Sequence, residues 1–189
     1  MDAVAALRAG QPVVLPTDTV YGLCADAASP LACLEALALK GRAERQPTAL
    51  LCADVETLLQ CVPEVEEDVV RALLPGLYTL VFRNPSRRFS WLSAETIGVR
   101  VPVLPESAAE VVAAIGAVMA TSANLHGGPD PRRLEDVPEE IRAGCGALVD
   151  GGELPGVPST VLDLTGPEPR VLREGAVPTA EALSRLSAL

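Results

Sequence analysis

The chain has 189 residues, of which 49% are hydrophobic and only 3% aromatic, with 25 acidic against 15 basic residues. This length suits one well-buried domain with a core of Ala, Val and Leu, and the net charge of −10 disfavours broad binding to nucleic acid or membrane surfaces. Residues 1–8 do not resemble a signal peptide, and no apolar stretch reaches the roughly 20 residues of a membrane span. We therefore expect a soluble cytoplasmic protein.

The first half of the chain alternates short apolar runs with helical segments. Ser29 predicts a helix N-cap because Pro30 follows at the first helical position, and Gly41 predicts the stop after Lys40. The predicted helices are 3–9, 30–40, one that Asp54 caps, and 64–74, and the predicted strands are 12–15, 48–53 and 78–82.

The second half contains several strands without a helix between them. Strands are predicted at 96–101, 117–121, 147–149, 160–164 and 170–172, and helices at 107–115, 135–142 and 179–186. This order favours a twisted mixed sheet with flanking helices over a purely parallel sheet. No repeat or linker interrupts the pattern, so we expect a single domain over residues 1–189.

A polar run follows the first predicted strand. Thr17, Asp18, Thr19 and Tyr21 come directly after apolar residues, at a strand end where ligands of α/β proteins usually bind. A polar turn stabilised by Asp18 and the threonine hydroxyls would give the same pattern. Both interpretations remain open.

Two cations flank Gly41 at a predicted helix end. Lys40 supplies a compact mobile charge and Arg42 a rigid fork for phosphate oxygens, which together suit a polyphosphate. The alternative is that the helix dipole alone favours cations at this position.

Two further features are informative in combination. Ser122 and Asn124 follow a buried strand and offer donors and acceptors for phosphate, ribose or base, although a helix cap or an Asx-turn would use them too. Arg100 lies within the apolar run 97–103, where a charge needs an anionic partner, either a ligand or an internal salt bridge.

Several common site classes are absent from the sequence. There is no Walker A loop and no GxGxxG, and nothing suggests a nucleophile triad. The five cysteines include no CxxC pair and His126 is the only histidine, so we expect no protein-ligated metal. The cations and hydroxyls instead suit positioning and electrostatic catalysis on phosphate.

Taken in order, these segments resemble the YrdC/YciO family of threonylcarbamoyl-AMP synthases. The matching motifs cover almost the whole chain: Pro16-Thr17-Asp18-Thr19-Val20-Tyr21-Gly22-Leu23, Lys40-Gly41-Arg42, Ser122-Ala123-Asn124, Ser159-Thr160-Val161-Leu162-Asp163 and Arg173-Glu174-Gly175. The resemblance implies the YrdC-like fold, an open sheet with a concave, locally positive ligand-binding face. It also implies that L-threonine, bicarbonate and ATP are joined to threonylcarbamoyl-AMP with release of pyrophosphate.

The resemblance also implies a set of site residues. Lys40 and Arg42 would act on the ATP phosphates, with Mg²⁺ bound through those phosphates. The residues implied for ATP are Lys40, Arg42, Gln46, Thr96, Ser122, Asn124 and Arg173, and those implied for threonine are Thr19, Arg100, Ala120 and Ser159. Gln46 and Asp130 differ from residues common in the family, which puts the secondary ATP contacts at those two positions in doubt.

Two other functions remain open at this stage. A YciO-like paralogue would share the fold without this activity, and an RNA-binding module would use the concave face for tRNA. The synthase would pass its product to downstream tRNA threonylcarbamoyl-transferase proteins, with tRNA contact that is weak or indirect.

Overall fold

The computed structural model describes residues 2–41 and 48–188. The strands are β1 Val13–Pro16, β2 Tyr21–Asp26, β3 Ala49–Cys52, β4 Tyr78–Arg83, β5 Thr96–Arg100, β6 Ala117–Ser122, β7 Ala147–Leu148, β8 Thr160–Asp163 and β9 Arg170–Arg173. The α-helices are α1 Ala3–Arg8, α2 Pro30–Leu39, α3 Val55–Cys61, α4 Glu67–Leu73, α5 Glu106–Ile115, α6 Glu139–Gly144 and α7 Thr179–Ser187, and Leu134–Asp136 forms a short 3-10 helix. None of the described helices is long and apolar enough to cross a membrane.

Local capping explains where α2, the helix that ends at Lys40, begins and ends. The Ser29 side chain accepts a hydrogen bond from the Ala32 amide at 3.2 Å and starts α2. Lys40 is the C-cap of the same helix, and Gly41 follows at a φ of 75°, a conformation that favours glycine. The predicted boundaries of this helix are confirmed, and they place Lys40 at a helix end.

The strands described here form one mixed sheet in the order β7-β1-β2-β6-β3-β5-β4-β8-β9. The pairs β1–β7, β3–β5 and β4–β8 are parallel, and the other neighbours are antiparallel. The mixed sheet with flanking helices expected from the sequence is confirmed.

The sequence analysis missed one strand, β2, and placed the start of one helix too early. The polar run after β1 turns directly into β2, so that β1 and β2 form a hairpin with Pro16 opposite Tyr21. The helix predicted over 135–142 begins only at Glu139, because Pro138 precedes it and separates it from the 3-10 helix.

The two faces of the sheet bury different side chains. One face packs large apolar residues such as Leu23, Leu50 and Leu80 against α2, α3, α4, α6 and α7. The other face packs against α1 and α5 around Leu15 and Val118. These two helices cover only part of the second face of the sheet, and the cleft described below lies on the uncovered part.

Alternation along β5 shows how the uncovered face is built. Ile97 and Val99 point into the larger core, while Thr96, Gly98 and Arg100 lie on the opposite side and line the cleft. A Cβ on Gly98 would lie 3.3 Å from the Thr48 carbonyl oxygen, so the chain packs tightly here without a side chain. Small residues on this face therefore keep the cleft open.

Candidate active site

A cleft of about 550 Å³ lies on the uncovered face of the sheet. Its lining includes Gly22, Ala49, Gly98 and Ala120, which occupy the central strands β2, β3, β5 and β6. The sequence-predicted site residues that line it are Thr19, Lys40, Thr96, Arg100, Ala120, Ser122, Asn124, Ser159 and Arg173. Arg42 and Gln46 lie outside the described residues, and their roles stay predictions.

Lys40 is buried at one end of the cleft, with only 3% of its surface exposed. Its Nζ donates to the Ser122 carbonyl oxygen and, at 3.1 Å, to the Asn124 Oδ1. Asn124 is itself held, because its amide donates to the Gly128 carbonyl oxygen at 2.7 Å and to the Asp130 carboxylate at 3.3 Å. Residues at the end of β6 and in the loop after it thus hold the ammonium group of Lys40, the C-cap of α2.

The electrostatics of Lys40 follow from these neutral partners. Burial lowers the pKa of Lys40 to about 8, and the nearby Asp130 carboxylate only partly opposes this effect. The described residues form no direct salt bridge to Lys40. Among the described residues, the ammonium group is therefore held by neutral oxygen acceptors rather than by a carboxylate.

The β1–β2 turn forms a second part of the site. The Thr17 hydroxyl donates to the Val20 carbonyl oxygen at 2.7 Å and lies 3.0 Å from the Thr19 hydroxyl. Thr17 and Thr19 are buried and line the cleft. The two interpretations of this polar run are therefore compatible, since the turn is stabilised internally and also borders the cleft.

Tyr21, from the same motif, is not part of the cleft lining. Its side chain lies in the larger core, and its hydroxyl lies 3.0 Å from the Asp150 carboxylate and 2.8 Å from the Gly152 carbonyl oxygen. The Gly151 amide donates to the same hydroxyl at 2.9 Å. This tyrosine fixes the segment around residue 151 against β2.

Arg100 has an internal partner. Its Nη2 lies 2.8 Å from the Asp18 Oδ1, and the two side chains are 11% and 7% exposed. The internal salt bridge considered from the sequence is therefore present, and it accounts for the charge in an apolar strand without a ligand. Contact between Arg100 and threonine stays a prediction.

Ser159, directly before β8, and Arg173, the last residue of β9, border the cleft. The Ser159 hydroxyl lies 2.8 Å from the Thr79 hydroxyl, and Arg173 donates through Nη2 to the Ser159 carbonyl oxygen at 2.9 Å. Gly175 packs so closely that a Cβ there would lie 2.2 Å from the Pro158 carbonyl oxygen. The glycine of the Arg-x-Gly motif thus permits the close packing beside Ser159.

Two buried polar atoms of the cleft residues have no hydrogen-bond partner within the described structure. They are the Thr48 Oγ1 and the Arg100 Nε. Buried polar groups almost always have partners, so a polar ligand would satisfy these two atoms.

Sequence reasoning missed some cleft residues. Thr48, Thr79, Ser93 and Asp130 line the cleft, but none was selected as a site residue. Thr79 could have been found, because it alternates with the apolar Tyr78 and Leu80 along β4. Within the described ranges, no three His, Cys, Asp or Glu side chains are grouped to hold a metal ion.

The fold and the site together define an α/β protein with a polar, cation-containing cleft on a mixed sheet. The family model for Sua5, YciO and YrdC, described as "Telomere recombination", matches residues 5–175. The chain therefore belongs to the Sua5/YciO/YrdC family.

Relatives of known name are similar over most of the chain. A relative from Mycobacterium tuberculosis is 36% identical across 95% of this chain and 85% of its own length. The threonylcarbamoyl-AMP synthase of Halorhodospira halophila is 35% identical across 92% of this chain and 88% of its own. That of Bacillus subtilis is 34% identical across 93% of this chain, which spans 53% of the relative.

Two solved structures extend the comparison. Pyrococcus abyssi Sua5 complexed with L-threonine superposes with a TM-score of 0.87 at 32% identity, over 97% of this chain and 56% of that one. Escherichia coli YciO superposes with a TM-score of 0.79 at 28% identity, over 93% of this chain and 88% of that one. The chain thus spans little more than half of the Sua5 chain and most of the YciO chain.

Proposed function

We propose that this protein is a threonylcarbamoyl-AMP synthase, which converts L-threonine, bicarbonate and ATP to threonylcarbamoyl-AMP and pyrophosphate. Named synthases that match over most of the chain support this function. The observation that carries it in the structure is Lys40, a buried ammonium group in the cleft with neutral direct partners. Such a group suits a polyphosphate ligand.

The reaction needs two adjacent subsites. The amino group of threonine first condenses with bicarbonate to a carbamate, with loss of one water, and a carbamate oxygen then attacks the α-phosphorus of ATP as pyrophosphate leaves. The sequence suggests no nucleophile triad, so the protein would hold the reactants together and stabilise the negative charge on phosphate.

The ATP subsite lies around Lys40 in this proposal. Lys40 neutralises phosphate charge, while Ser122 and Asn124 fix the ammonium group and offer further polar contacts. Thr96 and Arg173 line the cleft and complete the described part of this subsite. Arg42 and Gln46 join it on the basis of the sequence alone.

The threonine subsite lies around the β1–β2 turn. Thr19 and Ser159 present hydroxyl groups, and Arg100 presents a buried guanidinium whose Nε lacks a partner among the described residues. Ala120 provides a small floor beneath them. This set suits an amino acid that carries a carboxylate and a hydroxyl group.

Mg²⁺ would enter with the nucleotide. It usually keeps several waters and binds through substrate phosphates with only one or two carboxylates. Asp130 is the acidic residue of the described cleft lining, and it lies close enough to Lys40 to affect its pKa. This donor set fits a metal bound mainly through ATP, where it would shield phosphate charge.

Omission of each substrate in turn tests the function. Pyrophosphate release is measured with ATP, Mg²⁺, L-threonine and bicarbonate, and then without threonine or without bicarbonate. The synthase requires all of them and forms a product with the mass of threonylcarbamoyl-AMP. Release that is independent of threonine would contradict the proposal and favour the YciO-like alternative, which the similarity to E. coli YciO keeps relevant.

The product would then be used by other proteins. We place the enzyme in the cytoplasm, as the first step of threonylcarbamoyladenosine formation in tRNA. Downstream tRNA threonylcarbamoyl-transferase proteins would accept its product, because an adenylate is an activated mixed anhydride that needs a separate acceptor.

A further inference from the structure

We propose that Asp18 is a positioning residue that holds Arg100 so that the guanidinium can bind the carboxylate of the amino-acid substrate. The proposal rests on the threonine-dependent activity proposed above. Asp18 would act through Arg100 rather than touch the substrate. Its neighbours Thr17 and Thr19 line the cleft, whereas Asp18 is not part of the lining.

The first argument is the geometry of the pair. One carboxylate oxygen of Asp18 accepts from the Arg100 Nη2 at 2.8 Å, and the other accepts from the Val103 amide at 3.2 Å. Both oxygens are therefore used, and they connect the β1–β2 turn to the end of β5. The carboxylate restrains the guanidinium and the backbone beside it at once.

The second argument is what the pair leaves unused. The Arg100 Nε is buried and lacks a hydrogen-bond partner within the described structure, although the residue lines the cleft. An arginine whose only task was to neutralise Asp18 would have little reason to bury an unpaired donor, since such a donor carries a desolvation cost. A ligand carboxylate is the partner that the planar guanidinium fork fits best.

The third argument is that the turn carrying Asp18 is itself fixed. The Thr17 hydroxyl closes the turn onto Val20 at 2.7 Å. The Gly156 amide donates to the Thr19 carbonyl oxygen at 2.8 Å, and the Tyr21 amide donates to the Pro131 carbonyl oxygen at 3.0 Å. Asp18 is thus anchored from both sides, as a residue that orients a long flexible side chain must be.

A second aspartate–arginine ion pair in the sheet, Asp163 with Arg170, contrasts with the Asp18–Arg100 pair. Asp163 accepts from Arg170 at 2.6 Å, but Arg170 is 70% exposed and neither residue lines the cleft. Asp163 also accepts from the Thr165 hydroxyl and amide, which suits a local structural role. Asp163→Asn is therefore a matched control, in which a carboxylate loses its charge beside an arginine away from the site.

Asp18 has two opposing effects on an anionic substrate. Its charge partly neutralises Arg100, but its two hydrogen bonds restrain a side chain that is otherwise highly flexible. In Asp18→Asn, one amide group would face the Arg100 Nη2 or the Val103 amide donor to donor, so the restraint is lost. We expect the loss of orientation to outweigh the gain in net positive charge.

The test is steady-state pyrophosphate release by the wild type, Asp18→Asn and Asp163→Asn, with melting curves for each. We expect Asp18→Asn to raise KM for L-threonine about tenfold, the scale of one charge-assisted hydrogen bond, and to leave KM for ATP within about twofold. L-Threoninamide replaces the carboxylate by a carboxamide, and its KM should change little. Asp163→Asn should change neither KM.

The outcomes separate the two proposals. A wild type that does not need threonine would overturn the proposed function and this role of Asp18 with it. If the wild type needs threonine, the proposed function stands and only the role of Asp18 is in question. That role is overturned if Asp18→Asn leaves KM for threonine unchanged, lowers it, or alters it equally for threonine and threoninamide. If Asp18→Asn does not melt cooperatively, Asp18→Glu, which keeps the charge, undergoes the same comparison and should raise KM for threonine alone.

Discussion

Two buried cations of the described cleft lining, Arg100 and Lys40, have different kinds of partner. Arg100 lies 2.8 Å from the carboxylate of Asp18, whereas the described hydrogen bonds of Lys40 go to a carbonyl oxygen and a side-chain amide oxygen. Both side chains are largely buried. The cleft thus holds one cation beside an internal carboxylate and the other beside neutral oxygen acceptors, among the described residues.

This difference matches the two ligands of the proposed reaction. The ATP phosphates carry several negative charges, so a cation without a direct internal anion gains most from them. A single substrate carboxylate needs orientation more than charge, and an arginine held by a carboxylate provides a directed fork. Each prediction below perturbs one side of this comparison.

The largest effect is expected for Lys40→Ala. Removal of a donor that stabilises developing phosphate charge typically costs about 3 kcal/mol, or roughly a hundredfold in turnover. Steady-state pyrophosphate release measures the loss, and melting curves establish that the variant is folded. Arg185→Ala, which removes an exposed arginine paired with Glu181, is the control and should retain wild-type turnover.

The sequence predicts the same loss for Arg42→Ala. Near-wild-type turnover in both Lys40→Ala and Arg42→Ala would remove these two cations from the chemistry. A large loss in Lys40→Ala alone would place the phosphate charge at the helix C-cap.

Arg100→Ala should weaken threonine binding more than ATP binding. Hydrogen bonds to charged groups contribute about 1.5–3 kcal/mol, so we expect a loss of threonine affinity of roughly 30-fold. Calorimetric titrations with each ligand measure it. This variant also leaves the Asp18 carboxylate buried and unpaired, so its melting temperature should fall.

The double variant Asp18→Asn/Arg100→Ala separates the two effects. It should recover part of the melting temperature without recovering threonine affinity. Equal loss of threonine and ATP affinity in Arg100→Ala would instead mean that the ion pair serves only the fold.

The low pKa of Lys40 predicts a pH dependence. Above about 8 the free enzyme loses the ammonium charge, so kcat/KM for ATP should fall by about tenfold per pH unit there. Lys40→Arg keeps its charge throughout this range, so its kcat/KM for ATP should not show this alkaline fall. Because the threonine amino group also titrates at alkaline pH, the ratio of wild type to Lys40→Arg is the quantity to follow.

A ratio that stays constant from pH 7 to pH 9.5 would contradict a low pKa for Lys40. Among the described residues, the groups near the ammonium are the Ser122 carbonyl oxygen, Asn124 and, further away, Asp130. Asp130→Asn should therefore move the alkaline fall in kcat/KM to lower pH, since the Asp130 carboxylate of the wild type raises the pKa of Lys40.

Local sequence features predicted much of the fold. Ser29, Pro30 and Asp54 act through neighbours three residues or fewer away, so their caps are readable from the chain. The hairpin between β1 and β2 was missed because its turn lacks the Asn-Gly or Gly-Gly signal typical of short hairpins. The polar residues of this turn left both a ligand site and a polar turn open, and neither interpretation identified the second strand.

The sequence identified several residues that line the cleft, but not how they pair with one another. Motif residues such as Lys40 and Ser122 do meet in the cleft. The partner of Arg100 is 82 residues away in sequence, and nothing in local spacing identifies Asp18 as that partner. Pairings of this kind depend on how the turn after β1 folds back over the sheet, which only the tertiary structure shows.

The smallest expected effect is on tRNA binding, which would depend on the exposed arginines outside the cleft. Within the described structure, Arg87 pairs with Glu95, and Arg132 and Arg133 both pair with Glu153. Such pairs leave little free positive charge to displace counterions from RNA. Arg88 donates to the carbonyl oxygens of Gln60 and Cys61, and Arg45 lies outside the described residues.

The aromatic residues offer no ladder of stacking surfaces for bases either. Phe89 and Trp91 pack against each other edge to face with ring centroids 5.7 Å apart, and the other aromatic side chains, Tyr21, Tyr78 and Phe82, are buried. We therefore expect the isolated protein to bind tRNA no more tightly than about 10⁻⁵ M at physiological salt, which is the non-specific range.

Filter binding across a salt series, with and without ATP, measures this affinity. The double variant Arg132→Ala/Arg133→Ala should weaken tRNA binding by less than about threefold, because both side chains already face Glu153. Sub-micromolar binding at physiological salt that ATP does not displace would support the RNA-binding alternative. Weak, salt-sensitive binding would mean that the adenylate formed between Lys40 and Arg100 must be released to a separate enzyme that binds tRNA itself.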